Sequence, residues 1–529
     1  MKFHWGRSGV AGLCVTASVV LSGCVAQPGP APVEPVGSAE SSTVVPEVPV
    51  DKKNRNEIVV GIDPIRTGFN PHLASDDSAF VQSMARLVLP SAFVDGQMNS
   101  DVLLSAEEIT PTYGAAQMVQ YRINPSAQWS DGSPITGGDF RYLWEKMSTE
   151  AGVIDAAGYQ AISDVRSTDG GRVVTVVFKN KVADWKSLFT NLLPSHLFSV
   201  GGESFDKVLA TDVPASAGRY MVRSIDRKRG VVELARNDRF WGADPADVEL
   251  LTFREVGNFS QIIEMLGNGQ LSFAHVTPSE TSGLALSLAS GLQSRTIDRN
   301  TQLTATFNSR TLTDQNLRGA IASVIDVPSV AKLAAGRTAD VAIAEQLTPA
   351  HGHDLKAAIA EQVRPIKVAV DPEDETARGA AIAMVGMLTK AGFKAELVQS
   401  DLGDIVAKKV PAGEVDVVVS WQRPTTDPTP AASAFACQEG KPLASNVSGW
   451  CDEDLSGFLA EAMAGAHDSE AVRERMATVQ AQHLSVPILG DRRMDILGTG
   501  IVAGESDLNK WPVIADASVL ATAYKWKDD

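Results

Sequence analysis

The sequence lacks the short motifs that mark the common catalytic sites. Its 529 residues contain no nucleophile elbow GxSxG, no phosphate-binding GxxxxGK[ST] loop, no zinc-protease HExxH and no dinucleotide-binding GxGxxG. The neighbouring carboxylates Glu107 and Glu108, and Asp401 and Asp404, are the remaining acid–base candidates. Such surface carboxylates are more often solvated than catalytic. We therefore expect a protein that is not an enzyme and that needs no cofactor.

Basic residues are fewer than acidic residues in this chain. The chain has 47 Lys and Arg against 64 Asp and Glu, which gives a formal net charge of −17, and loss of Lys2 and Arg7 with a cleaved leader would make it −19. Nucleic-acid phosphates require a basic surface, so no nucleic-acid partner is expected.

Metal ligands are also few. His351, His353 and Asp354 lie in a short loop without further spaced ligands, so we predict a surface loop and no metal site.

Only the amino terminus has a long apolar run. Lys2 and Arg7 precede the apolar residues 10–21, and Leu21-Ser-Gly-Cys24 follows. This order is typical of a secretory leader, and a buried core helix fits poorly before a proline-rich stretch. The last four residues resemble a bacterial lipobox, which implies that Cys24 is acylated. Each buried acyl CH₂ contributes about 0.8 kcal/mol, so we expect a stable anchor on the extracytoplasmic face of the cell membrane.

Cysteine is scarce, with four residues in the chain. If Cys14 leaves with the leader and Cys24 is acylated, only Cys437 and Cys451 remain. A disulfide between these two is the natural interpretation in an oxidising exterior, and two buried thiols are the alternative. Neither cysteine belongs to a CxxC motif or has a neighbouring histidine, so zinc and redox chemistry are not expected.

Length and composition indicate several segments. A chain of this size exceeds a single hydrophobic core, so at least two folded domains are expected. Residues 24–56 are rich in proline and serine and cannot bury a core. They predict an extended tether between the leader, residues 1–23, and the folded part.

The stretch from Trp129 to Trp144 predicts a turn followed by a capped amphipathic helix. Asp131-Gly and Ser133-Pro are turn dipeptides, and Thr136 stands at the N-cap position. Asp139, three residues later, makes an acidic variant of the capping box. Helical spacing then predicts one apolar face that consists of Phe140, Leu143, Trp144 and Met147.

This order resembles the DGxPxTAxDF segment of the family 5 extracytoplasmic solute-binding proteins, the receptors of peptide and nickel ABC importers. A second match, to the family's FNT…VRxAIxxAID pattern, runs from Phe307 to Asp326. Softer matches follow in order from about Glu57 to Ile496. The resemblance implies an α/β, two-lobed, periplasmic-binding-protein-like fold of class II, with an interlobe cleft that encloses the ligand. Because metal ligands are few, a nickel receptor is not expected.

The resemblance also implies where the lobes lie. We predict lobe 1 at residues 57–300 and 490–529 and lobe 2 at residues 301–489, joined by two crossover strands. Ligand-induced closure of the lobes would be a hinge motion.

The ligand site is predicted from the strand that ends at Trp421. In peptide-binding relatives this strand continues W-x-x-D, and the aspartate pairs with the peptide ammonium group. Here Pro424 stands in that place and Arg423 adds a cation, which suggests a neutral or anionic ligand. Aromatic faces stack on sugars and apolar chains alike, although core packing is an equal alternative for each. The candidate ligand-binding residues are Phe69, Asn70, Asn308, Trp421, Arg423 and Trp450.

Within the family, residues 68–76 and 87–93 resemble the opening of the LpqW lipoproteins of mycobacteria and corynebacteria. That resemblance implies binding of a phosphatidylinositol mannoside intermediate and regulation of lipomannan and lipoarabinomannan biosynthesis. Two alternatives stay open. The first is a receptor that delivers an oligopeptide or another small solute to an ABC permease. The second is a ligand-free interaction protein that controls a membrane mannosyltransferase.

Overall fold

The computed structural model describes residues 56–528, apart from residues 67, 113, 200, 201, 203, 346–353, 439 and 515. The predicted leader, the acylated Cys24, the tether and the loop with His351 and His353 lie outside the described residues. In the part of the chain that is described, no helix is both long and apolar enough to cross a membrane.

The strands are, in chain order, β1 (Glu57–Ile62), β2 (Phe93–Val94), β3 (Gln97–Met98), β4 (Leu103–Ile109), β5 (Gln117–Ile123), β6 (Ile162–Thr168), β7 (Val173–Phe178), β8 (Tyr220–Asp226), β9 (Val231–Arg236), β10 (Leu250–Glu255), β11 (Phe273–Val276), β12 (Gln293–Phe307), β13 (Ile366–Val370), β14 (Ala395–Gln399), β15 (Val417–Gln422), β16 (Cys437–Gln438), β17 (Lys441–Pro442), β18 (Ser485–Leu497), β19 (Ile501–Val502) and β20 (Lys527–Asp528).

The α-helices are α1 (Ala79–Val88), α2 (Gly137–Thr149), α3 (Ala157–Gln160), α4 (Ser195–Phe198), α5 (Phe259–Gly267), α6 (Ser282–Leu288), α7 (Gln315–Val324), α8 (Val327–Ala335), α9 (Leu355–Ala360), α10 (Glu375–Ala391), α11 (Leu402–Asp404), α12 (Pro428–Phe435), α13 (Glu453–Met463) and α14 (Ser469–Gln480). A π-helical turn, Ile405–Lys409, continues α11, and 3₁₀ turns lie at Asp169–Gly171, Trp185–Ser187, Leu508–Lys510 and Val519–Lys525.

Ten strands form one mixed sheet in the order β14-β13-β15-β12-β18-β11-β1-β10-β9-β8. On one side β1 pairs in parallel with β10 and β11, and on the other β13 pairs in parallel with β14 and β15. Between them the long strands β12 and β18 run antiparallel to each other and pair with strands of both halves. The chain therefore has two α/β lobes linked by two crossover strands, which confirms the predicted fold class. The lobe boundaries stay a prediction.

Each half of the sheet has its own apolar core. The core around β1 also takes in the separate four-stranded sheet β4-β5-β7-β6 and the carboxy-terminal tryptophans Trp511 and Trp526. The core around β13 buries Leu303, Phe307 and Val419 under α7, α8 and α10. Burying one large apolar side chain stabilises a fold by about 1.5–3 kcal/mol, so each core contributes to the stability of its half of the sheet.

The helix predicted after Thr136 is α2, and its capping box is confirmed. The backbone N–H of Thr136 donates to Asp139 at 2.8 Å, and that of Gly138 donates to the Thr136 hydroxyl at 3.2 Å. The predicted apolar face is buried at Phe140, Leu143 and Met147, while Trp144 is half-buried. The other oxygen of Asp139 accepts from the N–H and hydroxyl of Ser195, so one carboxylate caps α2 and fastens α4 to it.

The predicted disulfide is also confirmed. Cys437 and Cys451 are bonded, with their Cα atoms 5.8 Å apart. The bond closes the loop that follows α12 and includes the hairpin of β16 and β17.

Candidate functional site

Two adjoining cavities lie where the two lobes face each other. In open α/β sheets, ligands bind beyond the carboxyl ends of parallel strands, and the ends of β1, β13 and β15 all reach this region. The space in and in front of the main cavity is about 1310 Å³ and that of the side cavity about 850 Å³, and both values include open solvent. The residues common to both walls are Ala74, Asp77, Leu402, Ser420 and Trp421.

One wall of the main cavity is a polar face of the sheet. Side chains alternate between the faces of a strand, so Leu303, Ala305 and Phe307 enter the core and their neighbours enter the cavity. Because β12 pairs with both β15 and β18, the side chains of the three strands that point to this face lie next to one another. The polar side chains on this wall are Gln302, Thr304, Thr306, Ser420, Gln422 and Ser485.

The opposite wall is mainly apolar. It is built by α12, α14 and the turn after α11, which contribute Phe435, Met476, Val479 and Val406. The main cavity therefore suits a ligand that has both a hydrogen-bonding part and an apolar part.

Two polar atoms on the cavity walls are left without partners. The Thr304 hydroxyl and the Trp421 indole N–H are buried and make no hydrogen bond with any described residue. By contrast, the Gln422 amide donates to the Thr306 hydroxyl at 2.7 Å. Leaving a buried polar group unpaired costs roughly 1–3 kcal/mol, so both atoms are unsatisfied in this arrangement of the cavity.

Residues before α3 form a lip over the cavity from the other lobe. The backbone N–H of Ala74 donates to the Gly152 carbonyl and that of Ile154 to the His72 carbonyl, both at 2.9 Å. His72 is itself buried, and burial lowers the pKa of its imidazole to about 4. The lip presents Asp155 to the cavity.

The charged groups of the main cavity are mostly acidic. The Arg423 guanidinium lies 3.5 Å from Asp77, and Asp77 also pairs with Arg299 at 3.3 Å. Burial raises the pKa of Asp155 to about 6; Arg423 opposes the rise, and Asp77 and Asp516 add to it. Arg423 is thus not an isolated cation, because Asp77 offsets its charge and Asp155 adds a second carboxylate, and the expectation of a neutral or anionic ligand stays a prediction.

The side cavity is lined by more carboxylates. Asp374 pairs with Arg66 at 2.5 Å, and Arg493 pairs with Asp63 and, at 2.6 Å, with Asp491. His275 lines the same cavity, and its Nδ1 lies 2.7 Å from Asp495. Within the described part of the chain, no group of three or more His, Cys, Asp or Glu residues is arranged to hold a metal ion.

The structure brings two of the six predicted ligand residues to the cavity. Trp421 lines both cavities, and Arg423 lines the main cavity. Trp450 instead packs against the apolar core formed by α12, α13 and α14. Ligand contact by Trp421 and Arg423 stays a prediction.

The other three predicted residues make structural contacts in the interior. Phe69 is fully buried, with the Arg227 guanidinium 4.9 Å from its ring centre. The Asn70 amide donates to the Phe205 carbonyl at 3.1 Å. The Asn308 amide donates to the carbonyls of Val410 and Val415, both at 3.0 Å. The structure thus does not place these three side chains on the cavity wall.

Sequence reasoning missed most of the polar wall and the whole lip. Alternation of Leu303, Ala305 and Phe307 with Gln302, Thr304 and Thr306 is a two-residue period, and it could have located the wall. Asp77 and Asp155 have no comparable local signal. Their position depends on how the two lobes meet.

Three comparisons bear on this site. Residues 116–441, more than half of the chain, match the family described as bacterial extracellular solute-binding proteins, family 5 middle. The chain is 34% identical over 340 residues to the probable monoacyl phosphatidylinositol tetramannoside-binding protein LpqW of Mycobacterium tuberculosis, covering 62% of this chain and 52% of that protein. It is 27% identical over 349 residues to the oligopeptide-binding protein OppA of the same organism, covering 62% and 57%.

The chain thus spans about half the length of the curated relatives that it matches, and mycobacterial lipoproteins are among its other relatives. Among solved structures, the oligopeptide-binding protein AppA of Bacillus subtilis, in complex with a nonapeptide, superposes with a TM-score of 0.67. That match has 13% identity and covers 89% of this chain and 99% of AppA. At this identity the likeness shows the fold alone.

Proposed function

The chain belongs to the family 5 bacterial extracellular solute-binding proteins, and from this premise we propose that it binds a phosphatidylinositol mannoside in its main cavity. In this proposal the protein is not an enzyme. It is anchored through an acylated Cys24 outside the cell membrane and, by holding the glycolipid, regulates its use in lipomannan and lipoarabinomannan assembly.

The observation that carries the proposal is the contrast between the two cavity walls. A mannosyl ring offers several hydroxyl groups, which match the Gln302, Thr304 and Gln422 side chains of the sheet. An acyl chain or the apolar face of a sugar matches Phe435 and Met476 on the helical wall. The relative LpqW, whose name specifies a mannosylated phosphatidylinositol ligand, supports the same ligand class.

A receptor for oligopeptides is the second candidate, and the acidic groups of the cavity favour it. Asp77 and Asp155 could pair with the ammonium group of a peptide, because a buried ammonium needs a carboxylate partner. Such a receptor would deliver its ligand to an ABC permease. A ligand-free regulator of a mannosyltransferase would not require an open cavity of this volume.

Direct binding tests the proposal. Purified protein is titrated with phosphatidylinositol tetramannoside in detergent, with unmannosylated phosphatidylinositol and with an alanine tetrapeptide, and tryptophan fluorescence is followed. We expect saturable binding of the mannoside alone. Binding of the tetrapeptide without binding of the mannoside would establish the receptor and refute the glycolipid proposal.

The Thr304→Val variant tests the polar wall. Valine has nearly the same shape, and the lost hydroxyl has no partner in the described structure, so stability should hold or rise. Affinity for the tetramannoside should fall about 5- to 10-fold, the equivalent of one lost hydrogen bond.

Thr296→Val is the matched control, because Thr296 is an exposed residue on the same strand outside the cavity. Wild-type affinity in Thr304→Val would contradict the placement of the ligand on this wall.

A further inference from the structure

Asp155 is held in an unusual backbone conformation at the cavity lip. Its φ is +52°, in the left-handed region that few residues other than glycine adopt. The segment around it is fixed from both lobes. Ile154 donates its N–H to the His72 carbonyl at 2.9 Å, and Ala157 donates its N–H to the Ser433 hydroxyl of α12 at 3.1 Å. The side chain of Asp155 is therefore positioned by the contact between the lobes.

The carboxylate of Asp155 has no hydrogen bond and no ion pair with any residue that the structure describes. The charged groups that face it are Arg423 at the end of β15, Asp77 before α1 and Asp516 in the carboxy-terminal segment. Arg423 is paired with Asp77, so it stabilises the Asp155 carboxylate only in part and makes no ion pair with it.

Asp139 shows what a structural carboxylate looks like in the same fold. Asp139 is buried, whereas Asp155 is half-buried, and Asp139 accepts hydrogen bonds from the Thr136 N–H and from the N–H and hydroxyl of Ser195. Desolvation raises the pKa of both carboxyl groups. Hydrogen bonds oppose the rise in Asp139, and Asp155, which has none, reaches a pKa of about 6. Backbone strain and a half-buried carboxylate without hydrogen-bond partners both lower stability, and such features concentrate at functional sites.

We infer that Asp155 anchors the ligand of the main cavity, its ionised carboxylate accepting hydrogen bonds from a pair of donors on that ligand. The inference rests on the proposed function and adds the group that is recognised: two neighbouring hydroxyls of a mannosyl ring. An ammonium group also donates hydrogen bonds to a carboxylate. The tetramannoside and the tetrapeptide are therefore compared, because only the peptide carries an ammonium group and only the mannoside carries sugar hydroxyls.

The first test is the pH dependence of binding. Affinity for phosphatidylinositol tetramannoside is measured between pH 5 and 7.5 for the wild type and Asp155→Asn. The wild type should bind fully above pH 6 and lose affinity, by up to about tenfold per pH unit, as the carboxylate is protonated below it. Asp155→Asn should bind about tenfold more weakly at pH 7.5, since one charge-assisted acceptor is lost, and should show a flat profile.

Asp169→Asn is the matched control. Asp169 has nearly the same backbone conformation, with φ +53°, but it is exposed in a turn away from the cavity. Asparagine tolerates this left-handed region as well as aspartate does, so neither variant should disturb the backbone.

The second test needs no ligand. Because the pKa of Asp155 is higher in the folded chain than the usual 3.8, the ionised group lowers stability increasingly as pH rises from about 4 to 6, and fully above 6. Asp155→Asn should therefore raise the melting temperature by about 1–3 °C at pH 7.5. At pH 4 the wild type and the variant should melt together.

Each outcome decides one point. If Asp155→Asn keeps wild-type affinity and the wild-type pH profile, the anchor is refuted while the glycolipid function stands. If a tetrapeptide binds in place of the mannoside and its binding depends on Asp155, the anchor stands, its donor is an ammonium group, and the glycolipid function falls. A lower melting temperature of Asp155→Asn at pH 7.5 would make Asp155 a structural residue and refute the inference.

Discussion

Polar side chains of the cleft region divide into those that hold the backbone and those that face the cavity. Asn308 belongs to the first kind. Its amide donates to two carbonyls, and its oxygen accepts from the Arg310 N–H at 3.2 Å. Thr304 belongs to the second kind, because its buried hydroxyl has no partner among the described residues. Hydrogen-bond partners, and not burial alone, separate the two.

Asn308→Ala should therefore lower stability and leave ligand affinity unchanged. The substitution leaves the carbonyls of Val410 and Val415 without their hydrogen-bond donor, and we expect a loss of about 2–4 kcal/mol in the free energy of unfolding. Urea denaturation measures the loss, and titration of the folded variant measures affinity. Asn316→Ala, at an exposed position of α7, serves as the control. A stable variant with weakened binding would return Asn308 to the ligand site.

At the scale of elements, the disulfide supports one wall of the main cavity. The loop between Cys437 and Cys451 contains Ser445, Val447 and Ser448, which line the cavity. The Ser445 hydroxyl donates to the Ser433 carbonyl at 2.6 Å, so the loop is tied back to α12. Cross-linking thus restricts a segment that has only two-residue strands of its own.

Replacement of both cysteines by serine should lower both stability and affinity. A closed loop of this length stabilises by about 3 kcal/mol in the chain-entropy model. Release of the loop should also loosen the cavity wall and weaken ligand binding several-fold. Denaturation midpoints and titrations are compared for the variant, the wild type and the reduced wild type. An unchanged denaturation midpoint in both the variant and the reduced wild type would show that the hairpin and its hydrogen bonds hold the loop without the disulfide.

At the scale of the whole molecule, ion pairs join the two halves of the sheet across the side cavity. Arg66, which follows β1, pairs with Asp374, the N-cap of α10, at 2.5 Å. The crossover strands β12 and β18 are continuous through both halves, so they permit a hinge between lobes whose cores are separate. The Arg66–Asp374 pair then favours the closed arrangement.

Arg66→Gln should shift the lobes towards an open arrangement. Apparent affinity falls in proportion to the closed fraction, so we expect a loss of about 3- to 10-fold with little change in the unfolding midpoint. Small-angle X-ray scattering of the ligand-free variant should give a larger radius of gyration than the wild type. Arg223→Gln removes an exposed pair with Glu233 inside one half and should change neither quantity. Equal scattering curves for wild type and Arg66→Gln would contradict a role in closure.

Local patterns were sufficient for many elements of the fold. The capped helix after Thr136 appears as predicted, and the strand β1 begins at Glu57, where the family resemblance begins. Capping, turn chemistry and apolar periodicity act between residues a few positions apart, so the sequence encodes them directly. The disulfide needed only the small number of cysteines.

The lining of the cavity was decided by the tertiary structure. Trp421 and Arg423 were found from a motif, but Phe69, Asn70 and Asn308 have structural partners in the interior. Asp77 and Asp155 come from distant parts of the chain and meet Arg423 only because the lobes pack together. Charge balance, burial and unpaired hydrogen bonds depend on that packing. The sequence by itself thus indicated the family, the capped helix and the disulfide, because these depend on local patterns, whereas the chemistry of the cavity required the assembled lobes.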